Sequence, residues 1–423
     1  MVNHKTKTLK NGLTLITVDL PHLDSVTTFI SVGAGSRYET RRVNGISHFL
    51  EHMFFKGSKK YPTAEEISKI VDSIGAINNA ATDKEITYYW IKSSAKHLET
   101  ASDILSSMLK EPLMVAEEIE REKGVILEEM RMYRDDPARY SLDLYEMLQF
   151  GDQPLGWEVI GTEKAIKSMK REDFLEYINS LYSPENMALI YVGKLPKNIE
   201  DIARKYFLDL PKARRSKFLP YKQVKQSKPK VSIHYKKTEQ VSLVFGVEAY
   251  DRNNKKRYAA SLLSTILGEG MSSRLFIQIR ERRGLAYRVK AAYAPYVDSG
   301  VFIVYAGLKL EKIEEGIRVI KEELEKVAKE GVTSEELQKA KEMERGHLAL
   351  RSESTNFLAT HFGVEFVLDR KIETFDEYLQ QIEAVRLEEI QEIAKELFRS
   401  ERYNLQLVGP FKSPAKFEKI LSE

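Results

Sequence analysis

The sequence predicts an α+β protein of two similar domains, each a mainly antiparallel β-sheet packed with α-helices. Three observations carry this reading. Strand and helix patterns interleave without strict βαβ alternation. The segment Ile166–Gly193 aligns without gaps on Ile382–Gly409, an offset of 216 residues. A proline-broken basic stretch lies at mid-chain.

The chain opens on a hairpin. Thr8-Leu9-Lys10 and Leu13-Thr14-Leu15-Ile16 flank Asn11-Gly12, a dipeptide that accepts the positive φ of tight turns. Ser25 to Val32 is rich in β-branched residues and ends at Gly33 and Gly35, so it reads as a strand. Helical periodicity starts at about Ile46 and returns over 63–74 and 95–109. Glu85 to Lys92 reads as a strand around the β-formers Thr87-Tyr88-Tyr89-Trp90-Ile91. A long helix covers 116–134 and ends before Pro137, whose ring cannot continue it.

The repeat sets the domain organisation. Its identical pairs are Ile166/Ile382, Glu172/Glu388, Glu176/Glu392, Leu181/Leu397, Glu185/Glu401, Leu189/Leu405, Val192/Val408 and Gly193/Gly409. Both copies read as an amphipathic helix, a short turn and a buried strand ending in glycine. An offset of about half the chain points to duplication. The expected boundaries are 1–210 for the first domain, 211–230 for a linker and 231–423 for the second. Pro211, Pro220 and Pro229 interrupt the lysines and arginines of that linker. A basic stretch can bind an acidic partner, but a solvated linker is the simpler reading.

Composition excludes several classes. The 66 basic and 63 acidic residues nearly cancel, which argues against a nucleic-acid binder. There is no cysteine, so disulfides and thiolate metal sites are excluded and a metal must be held by His, Asp or Glu. The N-terminus lacks the apolar run of a secretory signal, and no run of 18 or more apolar residues could span a bilayer. The expectation is a cytoplasmic protein without membrane insertion.

The chemistry centres on Gly45-Ile46-Ser47-His48-Phe49-Leu50-Glu51-His52-Met53. His48 and His52 are four apart and project from one helix face, where two imidazoles can take two corners of a zinc site. Glu51 shares that face and suits a general base. The intervening Phe49, Leu50 and Met53 would seat the helix in a core. The bland alternative is a pair of buried histidines satisfied by hydrogen bonds alone. A catalytic zinc needs a third protein ligand. Helix 116–134 offers Glu117, Glu118, Glu120, Glu122, Glu128 and Glu129. Glu122 and Glu129 lie two turns apart on a stripe with Ile119, Ile126 and Tyr133. A carboxylate on an apolar stripe is costly to bury unpaired, so a metal for one and a histidine N–H for the other would explain both. Glu117 and Glu120 read as solvated charges.

These residues resemble those of the pitrilysin, insulysin and mitochondrial processing peptidase family of zinc metallopeptidases, whose motif is the inverted His-x-x-Glu-His. The resemblance implies that Glu129, 77 residues after His52, is the third ligand and that Glu122 supports it; a one-residue slip would make Glu128 the ligand instead. Leu267-Gly268-Glu269-Gly270-Met271-Ser272-Ser273-Arg274 and Ile279-Arg280-Glu281-Arg282-Arg283-Gly284-Leu285-Ala286-Tyr287 look like its C-terminal signature. Arg280 and Tyr287 would then contact substrate and stabilise the tetrahedral intermediate. Asn79, Ala80 and Ala81 would belong to an edge strand that pairs with extended peptide. The family's short, two-domain members form one half of a clamshell and pair as homodimers or with a related subunit. Carried by 216 residues, His48, Glu51 and His52 fall on Ser264, Leu267 and Gly268, so the second domain should lack a metal site. The resulting expectation is a zinc-dependent endopeptidase with one Zn2+ per chain, acting on unstructured peptide. A non-catalytic or partner-dependent subunit of a heterodimer is the alternative.

Overall fold

The apolar run Met187–Gly193 is buried at every position, and the first sheet of the computed structural model is built around it. The structure describes residues 2–213 and 216–423. In this sheet β1 (Lys5–Thr8), β2 (Thr14–Asp19), β3 (Ser25–Val32), β4 (Ile77–Thr82), β5 (Thr87–Ser94) and β6 (Met187–Gly193) take the order β1-β2-β6-β3-β5-β4. β2 and β6 run parallel and the other pairs are antiparallel. Burial follows position: β3 and β6 are buried almost throughout, whereas β5 alternates and β4 at the edge has no fully buried residue.

The second sheet holds β7 (Lys230–Tyr235), β8 (Gln240–Glu248), β9 (Ala286–Pro295), β10 (Gly300–Lys309) and β11 (Asn404–Gly409) in the order β7-β11-β8-β10-β9. Again one pair, β7 with β11, is parallel. Strand for strand this is β2-β6-β3-β5-β4 repeated. The 216-residue offset carries Thr14–Asp19 onto Lys230–Tyr235 and helix Arg171–Leu181 onto helix Leu387–Leu397, residue for residue. In both helices a carboxylate in the first turn accepts from the backbone N–H three residues back: Asp173 from Lys170 at 2.9 Å and Glu389 from Arg386 at 2.9 Å.

The chain forms two compact units, but they are not its two halves. One comprises Met1–Met130, Trp157–Leu219 and Ala349–Phe375; the other comprises Arg131–Gly156, Pro220–Leu348 and Asp376–Glu423. A single cut within 211–230 therefore differs from what is observed in two segments. Helix Pro137–Phe150 packs on β8 and β11, and helix Thr355–Asp369 packs on β3 and β6. The offset carries the first of these helices onto most of the second, so the exchange is reciprocal. Its physical basis is ordinary core formation. Leu358, Ala359, Phe362 and Val367 join Ile16, Val18, Phe29 and Ile190 in one buried cluster. On the other sheet Asn404 Nδ2 donates to Gln149 Oε1 at 2.8 Å, with both residues buried. Of the stretch expected as a linker, Arg214 and Arg215 lie outside the described residues. Tyr221 is tied down, its N–H donating to Asp298 at 2.9 Å and its ring meeting Phe150 edge-on. No helix among the described residues is long and apolar enough to cross a membrane.

Helix Ser334–Arg351 begins at a capping box that has a further partner. Thr333 Oγ1 accepts from the Glu336 N–H at 3.1 Å, and Glu336 accepts from the Thr333 N–H at 2.8 Å. The same carboxylate takes a forked contact from Arg274 at 2.6 and 2.7 Å. Burial pushes its pKa up, but the Arg274 and Thr333 hydrogen bonds win and hold it at about 2. A pKa lower in the folded than in the unfolded state stabilises the fold above about pH 4.5, and that contribution is lost as pH falls toward 2. Glu336→Gln should therefore cost about 1–3 kcal/mol at pH 7 and flatten the loss of stability between pH 4.5 and 2. Urea midpoints of both proteins across that range measure it.

Candidate active site

Helix Ile46–Phe54 starts at Gly45, whose φ of +100° is left-handed. A Cβ there would stand 2.6 Å from the Ile160 carbonyl oxygen, so glycine is required on both counts. Ile46, Phe49, Leu50, Met53 and Phe54 are buried, with Phe49 edge-on to Phe174 at 4.8 Å and Phe54 to Tyr89 at 5.3 Å. Each such side chain stabilises the seat by about 1.5–3 kcal/mol. That packing fixes the helix's rotation and leaves His48, Glu51 and His52 on its other side. Opposite stands helix Ala116–Asp135, anchored by Ile119, Ile126 and Met130.

His48 Nε2 lies 3.6 Å and His52 Nε2 3.5 Å from Glu129 Oε2. One ligand atom from each of the three residues falls within 4.8 Å of the others. Glu128, one position earlier, is exposed and outside this group. Glu122 is 3% exposed, accepts from His52 Nδ1 at 2.9 Å and pairs with Lys56 at 2.6 Å. A carboxylate can only accept here, so His52 carries a proton on Nδ1 and points its Nε2 toward Glu129. Three groups able to ligate a metal thus face one another. Atoms that share a tetrahedral zinc at about 2.0–2.1 Å stand about 3.4 Å apart, close to the spacing here. The donor set suits zinc.

The charges agree with a cation. Burial would lower the His52 pKa, but the Glu122 hydrogen bond and the charges of Glu129, Glu122 and Glu51 outweigh it and raise it. Burial raises the Glu122 carboxyl, yet hydrogen bonds from His52 and Lys56 bring it below its ordinary value. Glu51 goes the other way: burial pushes it up against a 2.6 Å hydrogen bond from Thr82. Thr82 ends β4, which has a single strand neighbour and packs beside helix Ile46–Phe54. Asn79 is exposed and Ala80 and Ala81 are half-buried on this edge strand.

Arg280 and Tyr287 belong to the second unit. Arg280 lies in the π-helical segment Phe276–Glu281 and Tyr287 on the edge strand β9, where it is 78% exposed. The Arg280 guanidinium sits 4.7 Å from the centre of the Tyr287 ring. Ser264, Leu267 and Gly268 lie in helix Arg257–Gly268. A Cβ on Gly268 would come within 1.9 Å of the Ala291 backbone nitrogen on β9, so where His52 has its counterpart there is no room for a side chain.

Sequence reasoning passed over Lys56, Thr82 and Glu39. Lys56 is one turn beyond His52, and Thr82 closes the Asn78–Thr82 stretch, so spacing could have found both. Glu39 gives no local signal. It is buried and accepts four hydrogen bonds, from Gly45 N, Ser47 N, Ser47 Oγ and Asn44 Nδ2. Burial outweighs these bonds and raises its pKa to about 7.

The chain is similar to known proteins over nearly its whole length. Residues 14–163 match the family described as insulinase (peptidase family M16), and residues 168–344 match the peptidase M16 inactive domain. The uncharacterized zinc protease YmxG of Bacillus subtilis is 34% identical over 406 residues, covering 96% of this chain and 98% of its own. An uncharacterized zinc protease of Rickettsia bellii is 34% identical over 410 residues, with 96% and 98% covered. The crystal structure of a protease from Helicobacter pylori superposes with a TM-score of 0.89 at 25% identity, covering 97% of this chain and all of that one. From the whole-length likeness and both domain matches, the chain belongs to peptidase family M16, the pitrilysin and insulinase family, in its short two-domain form.

Proposed function

We propose that the chain is a zinc-dependent endopeptidase that cleaves unstructured peptides, with His48, His52 and Glu129 holding one zinc ion. The observation that carries this is the facing of the two Nε2 atoms and the Glu129 carboxylate at 3.5–3.6 Å, with Glu51 beside them against an open sheet edge. Zinc held there would supply Lewis acidity, polarising a peptide carbonyl and acidifying a water.

The protein's own groups do the rest. Glu51 takes a proton from the attacking water and returns it to the leaving amine. Thr82 fixes the carboxylate's direction by its hydrogen bond. Glu122 holds His52 in the tautomer that presents Nε2. Asn79, Ala80 and Ala81 offer the β4 edge to an extended peptide, which pairs by strand addition and must therefore be unfolded. Arg280 and Tyr287 donate to the developing oxyanion, where a guanidinium and a phenol are effective. The reading extends to a protein that works as a pair, with a second copy or a related subunit; family resemblance supports this pairing. Should the related subunit be obligatory, the chain alone would bind zinc and cleave nothing.

With an internally quenched, unstructured peptide, Glu51→Gln should lose about 10²–10⁴-fold in kcat at unchanged zinc content. Turnover at the wild-type rate would remove Glu51 from the mechanism. Glu122→Ala should weaken zinc about 10–100-fold, read by competition with a chromogenic chelator; an unchanged affinity would leave Glu122 with a packing role only. Tyr287→Phe should lower kcat about 10²-fold or more while zinc stays bound, and equal kcat in the two proteins would exclude the phenol from oxyanion stabilisation.

A further inference from the structure

We infer that Glu39 is a positioning residue for the metal site: its buried carboxylate fixes the first turn of the ligand-bearing helix and so the aim of His48. The inference rests on the zinc reading above and concerns a residue outside the ligand motif.

A helix start leaves backbone N–H groups without intrahelical partners, and a side chain at the N-cap ordinarily satisfies one of them. Here the N-cap is Gly45, which has no side chain and cannot be replaced without meeting the Ile160 carbonyl. Glu39 supplies the cap from outside the helix. One oxygen accepts from Gly45 N at 2.7 Å and Asn44 Nδ2 at 2.9 Å; the other accepts from Ser47 N at 2.9 Å and Ser47 Oγ at 2.6 Å. Glu39 is 4% exposed, and Asn44 and Ser47 are completely buried. Two fixed oxygens thus grip the two backbone amides that bracket the start of the helix, and His48 is the next residue.

The grip is itself anchored. The Tyr177 hydroxyl lies 2.6 Å from Ser47 Oγ and 3.1 Å from the Gly35 carbonyl oxygen. The segment before Glu39 is tied to the turn that follows β4: Ser36 N donates to the Asp83 carbonyl at 3.3 Å and Arg37 N to the Lys84 carbonyl at 2.8 Å. Arg37 also forms a buried ion pair with Glu85. That turn begins at Thr82, the residue that holds Glu51. Glu39 therefore joins the turn carrying His48 to the segment that orients the proposed base through a short chain of hydrogen bonds. Ligands misplaced by a few tenths of an ångström bind metal less well, and supports of this kind are what hold them.

Glu39→Gln keeps the shape but replaces one acceptor oxygen with an NH2, which must then face backbone or amide donors. Cobalt(II) alone, titrated into metal-free full-length protein, gives affinity and a visible absorption spectrum without reference to catalysis. Amide exchange reads the order of residues 45–48. The expected result is a cobalt dissociation constant raised about tenfold or more, an altered visible spectrum and faster exchange at Gly45–His48. Tyr191→Phe, which removes a buried hydroxyl bonded to Ser102 in the same unit, is the control for general destabilisation and should bind cobalt as wild type does. If wild type and Glu39→Gln share one affinity and one spectrum, Glu39 is a structural residue only and the inference fails. If wild type itself binds no cobalt, the zinc reading and this inference fall together. Should Glu39→Gln not fold, Ser47→Ala removes one of the four contacts and carries the same test, with a smaller shift expected and no shift overturning it.

Discussion

His48 and His52 each bring a ring nitrogen within 3.5–3.6 Å of the Glu129 carboxylate, and much of the first unit is arranged to hold them so. The two helices are held together by interactions elsewhere. Phe49, Leu50 and Met53 seat one of them and Ile119, Ile126 and Met130 the other. Burial on one face provides the free energy that fixes the opposite face, with its two imidazoles and carboxylate, in place.

Each carboxylate near the centre is distinguished by its partners. Glu122 meets an imidazole N–H and an ammonium and stays ionised below the usual range; Glu51 meets only a hydroxyl and is pushed up by burial. Glu39 sits deeper still, where four donors compete against complete desolvation. Three glutamates within one small region thus acquire different chemical characters, and the difference arises from depth of burial and from the charge of their partners.

The duplication shows how little change separates a unit with the His48–His52–Glu129 group from one without it. Both sheets share strand order, the position of the parallel pair and a helix whose bounds coincide under the 216-residue offset. At the counterpart of His52, Gly268 lets its helix approach β9 so closely that no side chain fits. Space that one unit leaves for imidazoles is closed by backbone in the other. The exchanged helices Pro137–Phe150 and Thr355–Asp369 preserve the same symmetry.

Local periodicity by itself determined the α+β class, the duplication, the helix bearing His48, Glu51 and His52, and the stripe joining Glu122 to Glu129. These depend on side chains three, four or seven apart on one helix, a spacing set by backbone geometry alone. Only the tertiary structure decided that Glu129 rather than Glu128 faces the histidines, because the two differ by about 100° of helix rotation and packing chooses between them. It also decided that Thr82 meets Glu51, that Glu39 caps a helix six residues away, and that two helices cover sheets outside their own halves of the chain. Each of those contacts joins elements whose approach is set by the summed burial of many apolar side chains, and no single residue or spacing encodes that sum.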